Sequence, residues 1–209
     1  MSTSDLFSAI DISQLPPSVQ ARLASAGEYA QRQAEAFNAK LPRAVQDRLN
    51  KLLRAIMAQK MKRASALKEL LALADTISAV AAPLAACKKG CSHCCHIPVS
   101  IHTADAQRIG RAIGRPPASP RLSLKEGIEY GYHMPCPFLK DNACSIYEHR
   151  PLPCRVQFNL DKDALLCELV QGVSVPVPYL DLTYLKGAYA MLAVGGMADI
   201  REFFPPAAG

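Results

Sequence analysis

The stretch CKKGCSHCCHIP, residues 87–98, places Cys87, Cys91, Cys94 and Cys95 in one short loop, with His93 and His96 among them. No other part of the chain restricts its folding as much. A loop this rich in thiols and polar residues has little apolar surface to bury, so something other than packing must hold it. Disulfides and metal ions are the two chemical answers, and the redox compartment decides between them. A second set follows at Cys136, Cys144 and Cys154, and Cys167 stands alone beyond it.

The start of the chain argues for metal. Its opening MSTSDLFSAIDISQLPPSV has no basic n-region and no apolar h-region. The sequence LAAC at residues 84–87 imitates a lipoprotein cleavage box, but Lys68, Glu69 and Asp75 would interrupt its apolar core. No uncharged apolar run is long enough to span a bilayer. A cytoplasmic, reduced protein is the expectation, and there clustered cysteines are metal ligands more often than disulfides. With 209 residues, 50% of them hydrophobic, the chain can bury a core without disulfide help.

The pattern before the loop is helical. Residues 18–40 are rich in Ala, Gln, Arg and Glu, and Pro42 punctuates them. Val45, Leu49, Leu52, Leu53 and Ile56 recur at helical spacing, as do Leu67, Leu70, Leu71, Ala74 and Ile77. The basic residues from Arg43 to Lys68 read as the solvated face of an amphipathic helix, so nucleic acid is not the expected partner. Beyond the loop, IPVSIH suggests a short strand. TADAQRIGRAIG suggests a helix with Thr103 as N-cap and Gly114 as stop. RPPASPRLS reads as a linker. CPFL and CSIY flank a turn, which predicts a small hairpin. DKDALLCELV and LDLTYLKGAYAMLAV read as helices, separated by a Val/Pro loop. The fold class expected is mostly α: an N-terminal helical hairpin or small bundle, residues 1–86, and a compact cysteine-rich metal-binding domain, residues 87–209, with a short β-hairpin, irregular loops and C-terminal helices.

Several details sharpen the site. A C-x2-C step such as Cys91 to Cys94 suits two thiolates on one metal. Neighbouring side chains of an extended segment point to opposite faces. On that premise Cys94 and Cys95 serve two centres, bracket a multinuclear cluster, or include one non-ligand. Eight cysteines match two four-thiolate sites in number, without proving them. Pro135 and Pro137 flank Cys136, and Pro151 and Pro153 precede Cys154, so both cysteines sit on stiff backbone. Lys88, Lys89, Arg150 and Arg155 lie close in sequence and can offset thiolate charge. With sulfur plentiful, His93 and His96 are expected beside the site or exposed, not as ligands. His102, His133 and His149 show no pattern. For Cys167, amid Leu165, Leu166 and Leu169, core packing competes with metal binding.

CKKGCSHCC followed by CPFLKDNACSIYEHRPLPCR resembles the bacterial zinc- or iron-chelating cysteine-cluster proteins, the CxxCxxCC or YkgJ-type family, over roughly residues 87–170. A related domain occurs in flagellin lysine methylases. The second motif carries Cys144, Ser145, Ile146, Tyr147, Glu148, Arg150, Pro151, Cys154 and Arg155. Cys167 looks like a later family cysteine. The chain departs from the pattern at Cys87, which three residues rather than two separate from Cys91. The resemblance implies a zinc, iron or iron–sulfur site built from Cys87, Cys91, Cys94, Cys95, Cys136, Cys144, Cys154 and Cys167. Three functions compete: a metal-binding protein; an iron–sulfur enzyme, either redox or methyltransferase-like; and a zinc-stapled module that binds a protein or nucleic acid through its N-terminal helices. No Gly-rich nucleotide fingerprint supports the enzyme, so chelation of zinc or iron by clustered thiolates is the reading taken forward.

Overall fold

Proline places the first helices. Pro17 opens α1 (Pro17–Lys40), Pro42 precedes α2 (Arg43–Met57), and Pro83 lies in the 3-10 turn Ala82–Leu84 that ends α3 (Arg63–Ala81). The computed structural model describes residues 12–88, 90–120, 130–193 and 196–205. Lys89, the lead-in before Ile12 and the last part of the linker lie outside the described residues. After the cysteine loop come β1 (Ser100–His102), α4 (Thr103–Ile113), β2 (Leu139–Lys140), β3 (Ala143–Cys144) and α5 (Leu152–Arg155). The chain then runs through α6 (Thr183–Met191), β4 (Met197–Asp199) and α7 (Ile200–Phe203). The protein is mostly helical, as expected, with two small two-stranded antiparallel sheets among the described residues.

The apolar stripes read from the sequence are the buried ones. Leu49, Leu52 and Ile56 of α2 face Leu67, Leu70, Ala74 and Ile77 of α3, and Phe37 of α1 joins them. This core does not stop at the cysteines: Leu152, Val156, Phe158, Leu160, Leu182, Leu185 and Tyr189 complete it. On the other side of α2 and α3, Arg43, Arg48, Lys51, Arg54, Lys60, Lys62, Arg63 and Lys68 are exposed. A second core gathers Val99, Ile101, Ile109, Phe138, Ile146, Ile200, Phe203 and Phe204, with Cys136, Cys144 and Cys154 packed on it.

The hairpin forms where expected. Asp141 and Asn142 adopt φ of 48° and 56°, the left-handed pair that a two-residue turn requires. Leu139 pairs with Cys144 across it.

Three local expectations fail for stated reasons. Thr103 is not the N-cap of α4; His102 is, its Nδ1 accepting from Asp105 N at 3.2 Å. DKDALLCELV is not a helix but a bent loop with a 3-10 turn at Leu165–Cys167. Asp161 Oδ1 takes the Lys162 N–H, and Asp163 Oδ1 takes the Leu165 N–H. These local bonds compete with the helix ladder, and Arg22 of α1 holds both carboxylates at 3.0 and 2.9 Å. Finally, α6 starts later than its apolar run, because Leu180 N is committed to Phe158 O at 2.9 Å. The pairing of β1 with β4, Ser100 opposite Asp199, had no sequence signal.

Candidate metal centre

Three segments carry the thiols, and backbone bonds bring them together. In the first, Cys91 N donates to Lys88 O at 3.0 Å, closing a turn that Gly90 completes at φ 92°. Cys95 N then donates to Ser92 O at 2.8 Å, winding His93–His96 into a 3-10 turn. The second segment joins the first through Cys136 N, which donates to Cys95 O at 2.7 Å. Cys136 O in turn accepts from Leu139 N at 2.9 Å, which starts the hairpin ending at Cys144. Pro151 starts α5, and its carbonyl accepts from Cys154 N at 3.1 Å. The third segment brings Cys167 to Cys87 through Asn159. Asn159 Nδ2 lies 3.3 Å from Cys167 Sγ, and Asn159 N lies 3.3 Å from Cys87 Sγ.

The adjacent pair requires a correction. Cys94 and Cys95 lie in a 3-10 turn rather than an extended segment, so successive side chains sit roughly a third of a turn apart and not on opposite faces. Their thiols hydrogen-bond to one another. Cys94 is exposed while the other seven are partly buried, and all eight are free thiols.

The electrostatics show how crowded the sulfurs are. The hydrogen bond from Cys95 lowers the Cys94 thiol to about 7, with the Arg150 guanidinium assisting against burial. That same bond, then burial, pushes Cys95 up. Burial is the first cause at Cys87, Cys136, Cys144, Cys154 and Cys167. It raises Cys136 to about 11 and Cys167 to about 12, and raises Cys87, Cys144 and Cys154. Ionising neighbours add to the rise: Cys94 acts on Cys87, Cys144, Cys154 and Cys167. Burial likewise raises Tyr179 to about 12, with Cys167, Cys94 and Cys87 acting on it. Thiols that repel one another as anions gain from a soft cation that replaces their protons. The donor set therefore fits zinc or iron. Among the described residues, no three His, Cys, Asp or Glu side chains stand close enough to one point to hold an ion as placed.

The cations near the thiols differ from those the sequence suggested. Arg150 acts on Cys94, Cys144 and Cys154, as expected. Arg155 instead serves as a staple. It is 7% exposed, pairs with Asp75 of α3, and donates to Arg150 O at 2.7 Å and Glu148 O at 2.8 Å. Arg201, which sequence reasoning missed, donates to Cys95 O (3.0 Å), Ile97 O (3.3 Å) and Met134 O (3.0 Å). Asp199 orients it at 3.0 Å and also accepts Val99 N at 2.8 Å. Asn159 was missed too, because no motif marks it. His93 is half-buried, with Nδ1 3.2 Å from the Tyr132 hydroxyl. His96 is buried against the Tyr132 ring, its Nδ1 without a partner among the described residues.

Residues 86–168 match the CxxCxxCC family model, described as "Putative zinc- or iron-chelating domain". This segment is similar to the domains of that family. The match spans all three cysteine segments, Cys87 and Cys167 included, and leaves α1–α3 and the C-terminal elements outside it. No curated protein and no solved structure gives a significant match. Among the described residues no helix is long and apolar enough to cross a membrane.

Proposed function

We propose that the chain chelates zinc or iron through the thiolates of Cys87, Cys91, Cys94, Cys95, Cys136, Cys144, Cys154 and Cys167. The zinc- or iron-chelating family of residues 86–168 supports the metal. The observation that carries the ligand set is the meeting of the cysteine segments: Cys136 N bonded to Cys95 O, and Asn159 bonded to both Cys87 and Cys167. Bound zinc would supply a structural tie, and an iron–sulfur cluster would supply one-electron transfer. Arg150 offsets thiolate charge at Cys94, Cys144 and Cys154, and Arg201 does so at Cys136 while also holding the loop carbonyls. The Cys94 side chain opens on a cleft of about 250 Å³ with His93, Cys167 and Tyr179 on its wall, which gives an incoming ion a path.

Elemental analysis and a visible spectrum of anaerobically purified protein test this reading. At least one metal per chain is expected. A brown protein whose absorption bleaches on reduction identifies an iron–sulfur cluster, and a colourless protein containing zinc identifies a thiolate zinc site. Metal content well below one per chain refutes the proposal. Acidification should release the ion as the thiolates take up protons.

A further inference from the structure

We infer that the eight cysteines form two adjoining four-sulfur compartments, which meet at Cys94 and Cys95. This rests on the chelating function proposed above. The first compartment contains Cys87, Cys91, Cys94 and Cys167. The second contains Cys95, Cys136, Cys144 and Cys154.

Different parts of the fold build the two. Asn159, fully buried, organises the first. Its main-chain N–H points to Cys87 Sγ and its side-chain amide to Cys167 Sγ, each at 3.3 Å. Its carbonyl accepts from Ala86 N at 2.8 Å, so the residue before Cys87 is pinned as well. Its Oδ1 accepts from Asp161 N at 2.8 Å, and Asp161 pairs with Arg22 of α1. The turn from Lys88 O to Cys91 N folds Cys91 back beside Cys87. Cys94 and Cys167 line the same cleft. This compartment therefore hangs from α1 and the 159–167 loop.

The second compartment rests on the other core. Cys136, Cys144 and Cys154 pack on the cluster of Val99, Ile101, Phe138 and Ile146. The Cys136 N–H bond to the Cys95 carbonyl brings Cys95 to that side, and Arg201 holds the same carbonyl at 3.0 Å. Two N–H groups aimed at Cys87 and Cys167 would favour thiolate there, as outer hydrogen bonds do at metal sites. The 3-10 turn keeps the two compartments in contact at Cys94 and Cys95, so binding at one should be felt at the other.

Zinc stoichiometry of the reduced, metal-free full chain tests the division. Two equivalents are expected. The variant C87S/C167S should keep one equivalent, and so should C136S/C144S. Asn159→Ala should weaken one of the two equivalents about 10- to 100-fold and spare the other. Because paired serines can unfold the chain, cadmium-113 resonance of the wild-type protein supplies an independent readout: two all-sulfur signals are expected. A single equivalent with a single signal overturns the division while leaving chelation intact. No bound zinc overturns both. Retention of two equivalents by C87S/C167S also overturns the division.

Discussion

Asp199→Ala tests whether the C-terminal strand and helix hold the cysteine loop. Asp199 is 7% exposed and joins three things at once. It accepts Val99 N at 2.8 Å at the exit of the cysteine loop, caps α7 through Arg201 N at 2.9 Å, and pairs with the Arg201 guanidinium at 3.0 Å. Removing the cap costs about 1 kcal/mol. Leaving the Val99 N–H buried without an acceptor costs about 1–3 kcal/mol. Arg201 keeps its three carbonyl partners, so its lost ion pair adds about 1 kcal/mol or less. The sum is about 2–5 kcal/mol. With a urea m-value of about 2 kcal/mol/M, the unfolding midpoint should fall by about 1–2.5 M. The assay is urea unfolding followed by far-UV circular dichroism, with zinc retention against a chelator measured in parallel. Zinc retention should fall too, because the Val99 N–H at the exit of the cysteine loop loses its acceptor and the loop is held less firmly. Asp181→Ala is the comparison. Asp181 is exposed and caps only Thr183 N, at 3.0 Å, so its loss should cost about 1 kcal/mol or less. A midpoint for Asp199→Ala within about 0.5 M of wild type, or equal to that of Asp181→Ala, would refute the reasoning.

Three other outcomes are expected. Arg155→Met should lower stability by about 1–3 kcal/mol, since it takes one donor from the carbonyls of Glu148 and Arg150, of which Arg150 O keeps Arg108, and unties α5 from α3; the same urea titration measures it. Glycine replacements should split in sign on thermal melting. Gly27→Ala and Gly187→Ala meet no atom within 4 Å in exposed helix and should gain about 0.5–1 kcal/mol, whereas at Gly110 a new Cβ meets Arg115 O at 2.6 Å and should lose about 1–3 kcal/mol. The metal-free chain should lose stability as pH rises above about 8.5, the ordinary thiol value. Cys136 and Cys167 hold their protons up to about 11 and 12 when folded, so above that pH the folded state binds more protons than the unfolded one and stability falls. Urea midpoints that rise between pH 8 and 10 would contradict this.

The helices, the hairpin and the cysteine set were legible in the chain because each rests on a local rule. Helical spacing of Leu49, Leu52 and Ile56 marks a buried stripe whatever it packs against. Asp141–Asn142 marks a turn because short polar side chains tolerate left-handed backbone. Thiol crowding at residues 87–95 marks a chelating segment because sulfur is a soft metal donor, in line with the zinc- or iron-chelating description of the family model. Where local propensity met a distant partner, the partner won. Arg22 and Asn159 turned DKDALLCELV from an expected helix into the loop that carries Cys167. Tertiary structure also decided the neighbours of each sulfur. Asn159 lies far from Cys87 in sequence, and Arg201 far from Cys95; nothing in their own surroundings marks them as site residues. By itself, then, the sequence determined the cysteine clusters and most of the elements around them. Only the folded chain decided how Cys94 and Cys95 turn and which groups hold their loop. Donor chemistry belongs to the residue type, but grouping depends on long-range hydrogen bonds and on two separate cores, and no local rule encodes those.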